Sequence, residues 1–243
     1  MEPQTIDPAK PNVATSAAPQ SFALDLAAAA LDDIESLRKA TNLRIKAKER
    51  DGLGDLPEVH ASRLMLEMLE KVEHQAILDL QRSMRRHPLG QWVKRTVGVG
   101  EKQGARLIAA IGDIDWNHAE DRPRRGPAEL WAYCGYAPGQ KRRKGVVSNW
   151  NADAKMRAHL IAEAAIKSGI RKNDGCDDAS GYDAAGRIAI TTYGATYLTA
   201  RTSWQDHDTS DMHKHNHALR LVAKAVLRDM FAEARRIRNG VAA

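Results

Sequence analysis

Residues 96–112 decide the predicted fold, and they read Thr96-Val-Gly-Val-Gly-Glu-Lys-Gln-Gly-Ala-Arg-Leu-Ile-Ala-Ala-Ile-Gly112. This spacing predicts one helix that ends near Thr96, a Gly-Val-Gly turn and a second helix, which is a helix-hairpin-helix pattern. Gly98 and Gly100 permit a positive φ and the close approach of another backbone, and the N–H groups that start the second helix suit a phosphate. Lys102 and Arg106 lie one helical turn apart and add positive charge. We therefore predict phosphate contacts here, with an ordinary corner between two helices as the alternative.

The chain before this motif is predicted to be a tail followed by two helices. Residues 1–20 contain four prolines and no periodicity, which is typical of a disordered segment. Residues 21–86 show apolar positions at helical spacing, interrupted by a Gly- and Pro-containing break at 51–57. The second of these helices runs from about Pro57 to Arg86. Together the two helices suit an antiparallel hairpin or a dimerising coiled coil. Packing of both helices onto the rest of the chain is the alternative.

Residues 87–243 are predicted to form a compact helical domain around the motif. A polar Gly- and Asp-rich insertion occupies about 171–186, the run 188–193 suits either a short strand or a helix start, and a last helix covers about 213–238. The fold class is therefore mainly α, with a helical hairpin or coiled coil followed by a compact helical domain that contains the helix-hairpin-helix motif.

Composition and charge restrict the class of protein. The chain has 243 residues, 43% of them hydrophobic, which is enough for a core, and a net charge of +6. Cys134 and Cys176 form no C-x-x-C pair, so a disulfide framework or a zinc ribbon is not expected, and Cys134 suits a small buried apolar position. No leader and no apolar run of membrane-spanning length is seen. We expect a cytoplasmic protein with no membrane partner.

Positive charge is concentrated in three clusters outside the motif. A solvated surface is the simplest interpretation of each, but three clusters beside a hairpin turn favour a track for the nucleic-acid backbone. Trp150, next to the second cluster, is the best candidate for stacking on an unpaired base, whereas Trp131 suits a core position. The clusters are Arg122, Arg124 and Arg125; Lys141, Arg142, Arg143 and Lys144; and Arg220, Lys224 and Arg228.

Four blocks of sequence together resemble the C-terminal transposase domain of the IS-one-ten insertion-sequence family, which includes the pilin invertases. The blocks are Val97 to Asp113, Ala128 to Pro138, Lys141 to Gly145 and Asn151 to Ala165, and the last helix from His215 to Arg228 is also similar. The resemblance implies binding of double-stranded DNA through the hairpin and the basic loop, and homo-oligomerisation through residues 21–86. It also implies a nucleoid-associated location and leaves structured RNA as a possible second partner.

Two features of this family are missing from the sequence. Residues 1–88 are too few and too helical for its RNase-H-like domain with four metal-binding acidic residues. The family's Ser-Gly step has no counterpart in the stretch from Pro138 to Gly145, and Ser148 would serve as the nucleophile only in a shifted register. We therefore expect a DNA-binding protein without autonomous strand cleavage. The alternatives are an active recombinase that uses Ser148 or a partner's nuclease domain, with Mg²⁺ if it is catalytic, and an RNA-binding protein.

Two groups of side chains have the composition of metal sites, but neither has convincing spacing. His213 and His217 are spaced i, i+4, which suits two ligands of one metal, although no third ligand is fixed by spacing and a structural role is simpler. The aspartates of the polar insertion do not follow the EF-hand order, so a solvated loop is the preferred interpretation. No metal or other cofactor is therefore expected.

Overall fold

The computed structural model describes residues 18–115, 126–142, 144–172, 183 and 185–240, with the backbone alone for residues 18–23. Several predictions fall outside this range, namely those for the tail up to residue 17, for Arg122, Arg124, Arg125 and Arg143, and for most of the polar insertion. The described elements are α1 (Ala18–Arg50), α2 (Pro57–Arg86), α3 (Gly90–Arg95), α4 (Glu101–Ile111), α5 (Pro127–Tyr133), α6 (Ala152–Gly169), β1 (Ile170–Lys172), β2 (Arg187–Ala189), α7 (Thr192–Ser203) and α8 (Asp211–Arg238).

Helices α1 and α2 form an antiparallel hairpin within one chain. Arg38 on α1 is paired with Glu73 on α2, and Glu49 near the end of α1 lies 2.8 Å from Arg63 near the start of α2. Pro57 occupies the first turn of α2, where its missing N–H has no helical partner to lose. Within one chain the two helices therefore form the predicted hairpin.

The core is a continuous helical cluster, and α1 is part of it. Leu24 and Leu31 of α1 are buried together with Leu80 and Met84 of α2 and the apolar face of α4. Long α8 contributes Val222, Val226 and Met230 to the same cluster, as its periodicity predicts. The mainly α class is confirmed, and the described sheet is a two-stranded antiparallel pair that joins Ile170 to Ala189.

Residues 188–193 combine both predicted structures, since β2 ends at Ala189 and α7 begins at Thr192. Thr191 caps α7 by accepting a hydrogen bond from the Gly194 N–H at 3.1 Å.

Cys134 is fully buried, as expected for a small apolar side chain. Among the described helices, none is long and apolar enough to span a bilayer.

A candidate nucleic-acid interface

The Gly-Val-Gly turn joins α3 to α4, as predicted, but its two glycines have different roles. Gly98 has φ +90°, and a Cβ built there would lie 2.3 Å from Ala165 Cα of α6. Gly100 has φ +48°, and a Cβ there would meet no atom within 4 Å. The close approach that Gly98 permits is therefore to helix α6 of the same chain, and only Gly100 faces open space.

Lys102 and Arg106 are bound inside the protein instead of lying free for a phosphate. Lys102 Nζ lies 2.7 Å from Glu35 Oε1, while Arg106 Nη2 lies 2.8 Å from Asp32 Oδ1 and 3.1 Å from Glu35 Oε1. Arg106 is only 4% exposed. These ion pairs and the low exposure of Arg106 speak against the predicted contact with a nucleic-acid phosphate, because carboxylates on α1 already neutralise the guanidinium.

The carboxylates of α1 connect three helices. Arg157 on α6 donates to both oxygens of Asp32 at 2.8 and 2.7 Å, so α1 is tied to α4 and α6 at one point. Burial of Glu35 opposes its ionisation, but hydrogen bonds and charge from Lys102 and Arg106 outweigh this effect and lower the pKa to about 2. A cavity of about 430 Å³ lies beside these pairs. The network is a structural junction, because each of its cations already has a carboxylate partner.

The start of α4 also has an anionic side chain of its own. Glu101 in its first turn accepts two hydrogen bonds from Arg85 of α2, each 2.7 Å long. A carboxylate at a helix N-terminus interacts favourably with the helix dipole. The phosphate site predicted at this N-terminus is therefore next to a negative charge that the sequence pattern did not take into account.

The second basic cluster lies on an exposed loop that follows α5. Lys141, Arg142 and Lys144 are all exposed, and no acidic residue occurs in the sequence from Leu130 to Ala152. The start of this loop is anchored by Arg220 of α8, whose Nη2 donates to the carbonyl oxygens of Tyr136 at 3.0 Å and Ala137 at 2.6 Å. A rigid anchor below exposed cations is the arrangement expected of a phosphate-binding surface.

Trp150 closes the other end of the loop. Its ring packs against Gly135, where a Cβ would lie 2.8 Å from the indole Cγ, and Lys155 Nζ lies 4.5 Å from the ring centroid. Burial, and then the charge of nearby Arg220, lower the pKa of Lys155. Arg220 and Lys155 therefore lie near each other, at the two ends of the loop that carries the exposed cations.

The row of cations on α8 is divided among three different surroundings. Arg220 is half-buried below the basic loop, and Lys224 Nζ lies 4.2 Å from the Trp131 ring centroid on α5. Trp131 is only partly buried and donates its indole N–H to the Lys224 carbonyl at 3.1 Å. Exposed Arg228 lies 2.9 Å from Asp229. The predicted track along α8 is therefore not a row of equivalent free cations.

The histidines at the start of α8 take part in ring stacking and capping. The Trp204 ring stacks on His217 at 3.7 Å and on His207 at 4.6 Å between centroids, and Ser210 Oγ lies 2.9 Å from His213 Nδ1. No cluster of three metal-ligating side chains occurs in the part of the chain that the structure describes. His213 and His217 thus have side-chain partners within the protein.

Ser148 lies on the same loop and is partly buried. Within the described residues its hydroxyl makes no hydrogen bond to a histidine, lysine or carboxylate that would activate it as a nucleophile. Asp183, from the acidic group of the insertion, is paired with Arg187 at 2.8 Å. The described part of this loop thus presents exposed cations, and none of the described residues is placed to activate Ser148.

No family model, curated protein or solved structure matches the chain. The fold and the site define a mainly α-helical protein with an exposed basic loop anchored on its last helix.

Proposed function

We propose that this protein binds double-stranded DNA by gripping the phosphate backbone with its basic loop. The observation that carries the proposal is the loop itself, with the cations Lys141, Arg142 and Lys144 exposed and Arg220 holding its base. Cations that contact phosphates supply most of the non-specific affinity of DNA-binding proteins. The acid-free sequence around the loop supports this function, because no neighbouring carboxylate in that stretch competes for its cations.

The proposed relationship is to the IS-one-ten transposases, with DNA binding kept and autonomous strand cleavage absent. Its support is the order of the four sequence blocks, of which the second covers α5 and the anchored start of the loop and the third covers the cations of the loop. A DNA partner would locate the protein in the cytoplasm at the nucleoid. The exposed apolar side chains of the hairpin favour self-association through residues 21–86. Leu37, Leu43, Leu64, Met65, Met68 and Val72 are each at least half exposed.

The test compares two variants that lose the same charge. The loop variant replaces Lys141, Arg142 and Lys144 with alanine, and the control replaces Arg44, Lys46 and Lys48, three exposed cations of α1. Fluorescence anisotropy with a duplex probe at fixed salt should show binding by the wild type and the control, and at least about ten-fold weaker binding by the loop variant. Equal weakening in both variants would refute the assignment of the site.

The same titration separates the alternative functions. A structured RNA probe that binds much more tightly than the duplex would replace DNA with RNA as the partner. Cleaved or covalently attached duplex in the presence of Mg²⁺, abolished by Ser148→Ala, would identify an active recombinase. We expect neither result.

A further inference from the structure

Two adjacent valines project from the proposed DNA-binding loop. Val146 is 64% exposed and Val147 is 94% exposed, which makes Val147 the most exposed large hydrophobic residue in the described part of the chain. They follow Lys144 and Gly145 directly, and Gly145 has φ +77°, with no atom within 4 Å of a Cβ built there. The loop therefore presents apolar and cationic side chains side by side.

The fold itself makes no use of these two side chains. Neither belongs to the buried core nor to the partly buried residues that pack against it. Single exposed apolar residues are common on protein surfaces, but an adjacent pair within a cationic loop has the composition of a contact surface. Their replacement by a polar residue should therefore leave folding unchanged.

The charge around this apolar pair indicates which class of partner it contacts. The cations Lys141, Arg142 and Lys144 that precede the pair favour a polyanion, and the apolar side chains favour an apolar surface between its charges. A DNA duplex provides both, because the stacked faces of its bases lie between two rows of phosphates. Proteins that deform DNA insert apolar side chains between base steps in this way. Two valines offer much less apolar area than a single acyl chain, which by itself gives only marginal binding to a bilayer.

We propose that Val146 and Val147 form a wedge that enters a groove of the duplex, partly unstacks a base step and bends the DNA. This inference rests on the proposed function, because Lys141, Arg142 and Lys144 supply the phosphate contacts that hold the wedge in place. The protein would then discriminate between DNA sequences by their deformability, with flexible pyrimidine–purine steps preferred.

The experiment measures binding and bending separately on the full chain. A duplex of about 30 base pairs, labelled at both ends, reports bending by energy transfer, and anisotropy reports affinity across a salt series. The test variant is Val146→Ser with Val147→Ser. The matched control is Ile190→Ser with Met212→Gln, since these side chains are 58% and 64% exposed and lie outside the loop. Circular dichroism confirms that both variants fold.

We expect the wild type and the control to raise energy transfer on binding. The valine variant should bind roughly ten-fold more weakly, since apolar burial is lost, with an unchanged salt slope and no rise in energy transfer. Wild-type binding without bending, or equal bending by the valine variant, would overturn the wedge while leaving the proposed function intact. Failure of the wild type to bind the duplex would refute the proposed function itself.

An experiment with lipid vesicles tests whether the cationic and apolar loop binds a membrane surface instead of DNA. Sedimentation with vesicles containing phosphatidylserine should show no binding that depends on the two valines. If the valine variant lost vesicle binding but bound the duplex as tightly as the wild type, the proposal would be overturned in favour of a lipid surface.

Discussion

The two glycines of the Gly-Val-Gly turn should differ sharply in their tolerance of alanine. Both have positive φ, and Gly100 combines φ +48° with ψ 134°, outside the left-handed helical region, so alanine is strained at either position by about 1–3 kcal/mol. At Gly100 this strain is the main cost, because a Cβ meets nothing within 4 Å. At Gly98 the Cβ would lie 2.3 Å from Ala165 Cα and 2.9 Å from Ala165 Cβ. The backbone of α6 must therefore move, which adds the cost of overpacking, typically about 1–3 kcal/mol.

We therefore expect Gly98→Ala to lower the free energy of unfolding by about 2–6 kcal/mol and Gly100→Ala by about 1–3 kcal/mol. Because both substitutions restrict the unfolded chain equally, that contribution cancels from the comparison. For a chain of this size each kcal/mol corresponds to a fall in Tm of about 2–4 °C. Urea unfolding followed by circular dichroism measures both variants. Equal losses would refute the packing of Gly98 against α6.

Two further predictions concern the helical hairpin. The pKa of Glu35 is lowered to about 2 by Lys102 and Arg106, so its ionised form contributes stability above pH 4.5 that is lost as the pH falls towards 2. Urea unfolding should therefore show a smaller loss of stability over this pH range for Glu35→Gln than for the wild type. Parallel curves of stability against pH would contradict the assignment. The double variant Leu43→Gln with Met68→Gln should associate less and therefore have a lower molar mass by light scattering, since these apolar side chains are 68% and 67% exposed. An unchanged molar mass would show that these two side chains do not contribute to self-association.

The helices were predictable because their sequence signals are local. Pro57 marks the start of α2, and the apolar spacing of α8 matches its buried face. Met65, Leu69, Val72, Ala76 and Leu80 form one apolar stripe at helical spacing in the sequence of α2. The structure buries this stripe only in part, since Leu80 is fully buried whereas Met65 is 56% and Val72 is 50% exposed. Periodicity identifies an apolar face, but it does not reveal how far along a helix the rest of the protein extends to cover that face.

The site was harder to predict because charge partners distant in sequence decide which cations are free. Arg106 matched the expected motif, yet Asp32, more than 70 positions earlier, neutralises it. Arg220 was expected at phosphate, but it holds two carbonyl groups of the basic loop. The exposed valines were visible in the sequence as Val146-Val147 beside four cations, and attention to apolar residues within a charged loop would have singled them out.

The most direct test of DNA binding through the basic loop is the salt dependence of duplex affinity. The logarithm of the binding constant falls with the logarithm of salt concentration, with a slope of about −0.9 per phosphate neutralised. Replacement of Lys141, Arg142 and Lys144 should make the slope shallower by up to about 2.7, whereas replacement of Arg44, Lys46 and Lys48 should leave it within about 0.5 of the wild type. Equal slopes for the wild type and the loop variant would contradict the account, because the loop would then contact no phosphate.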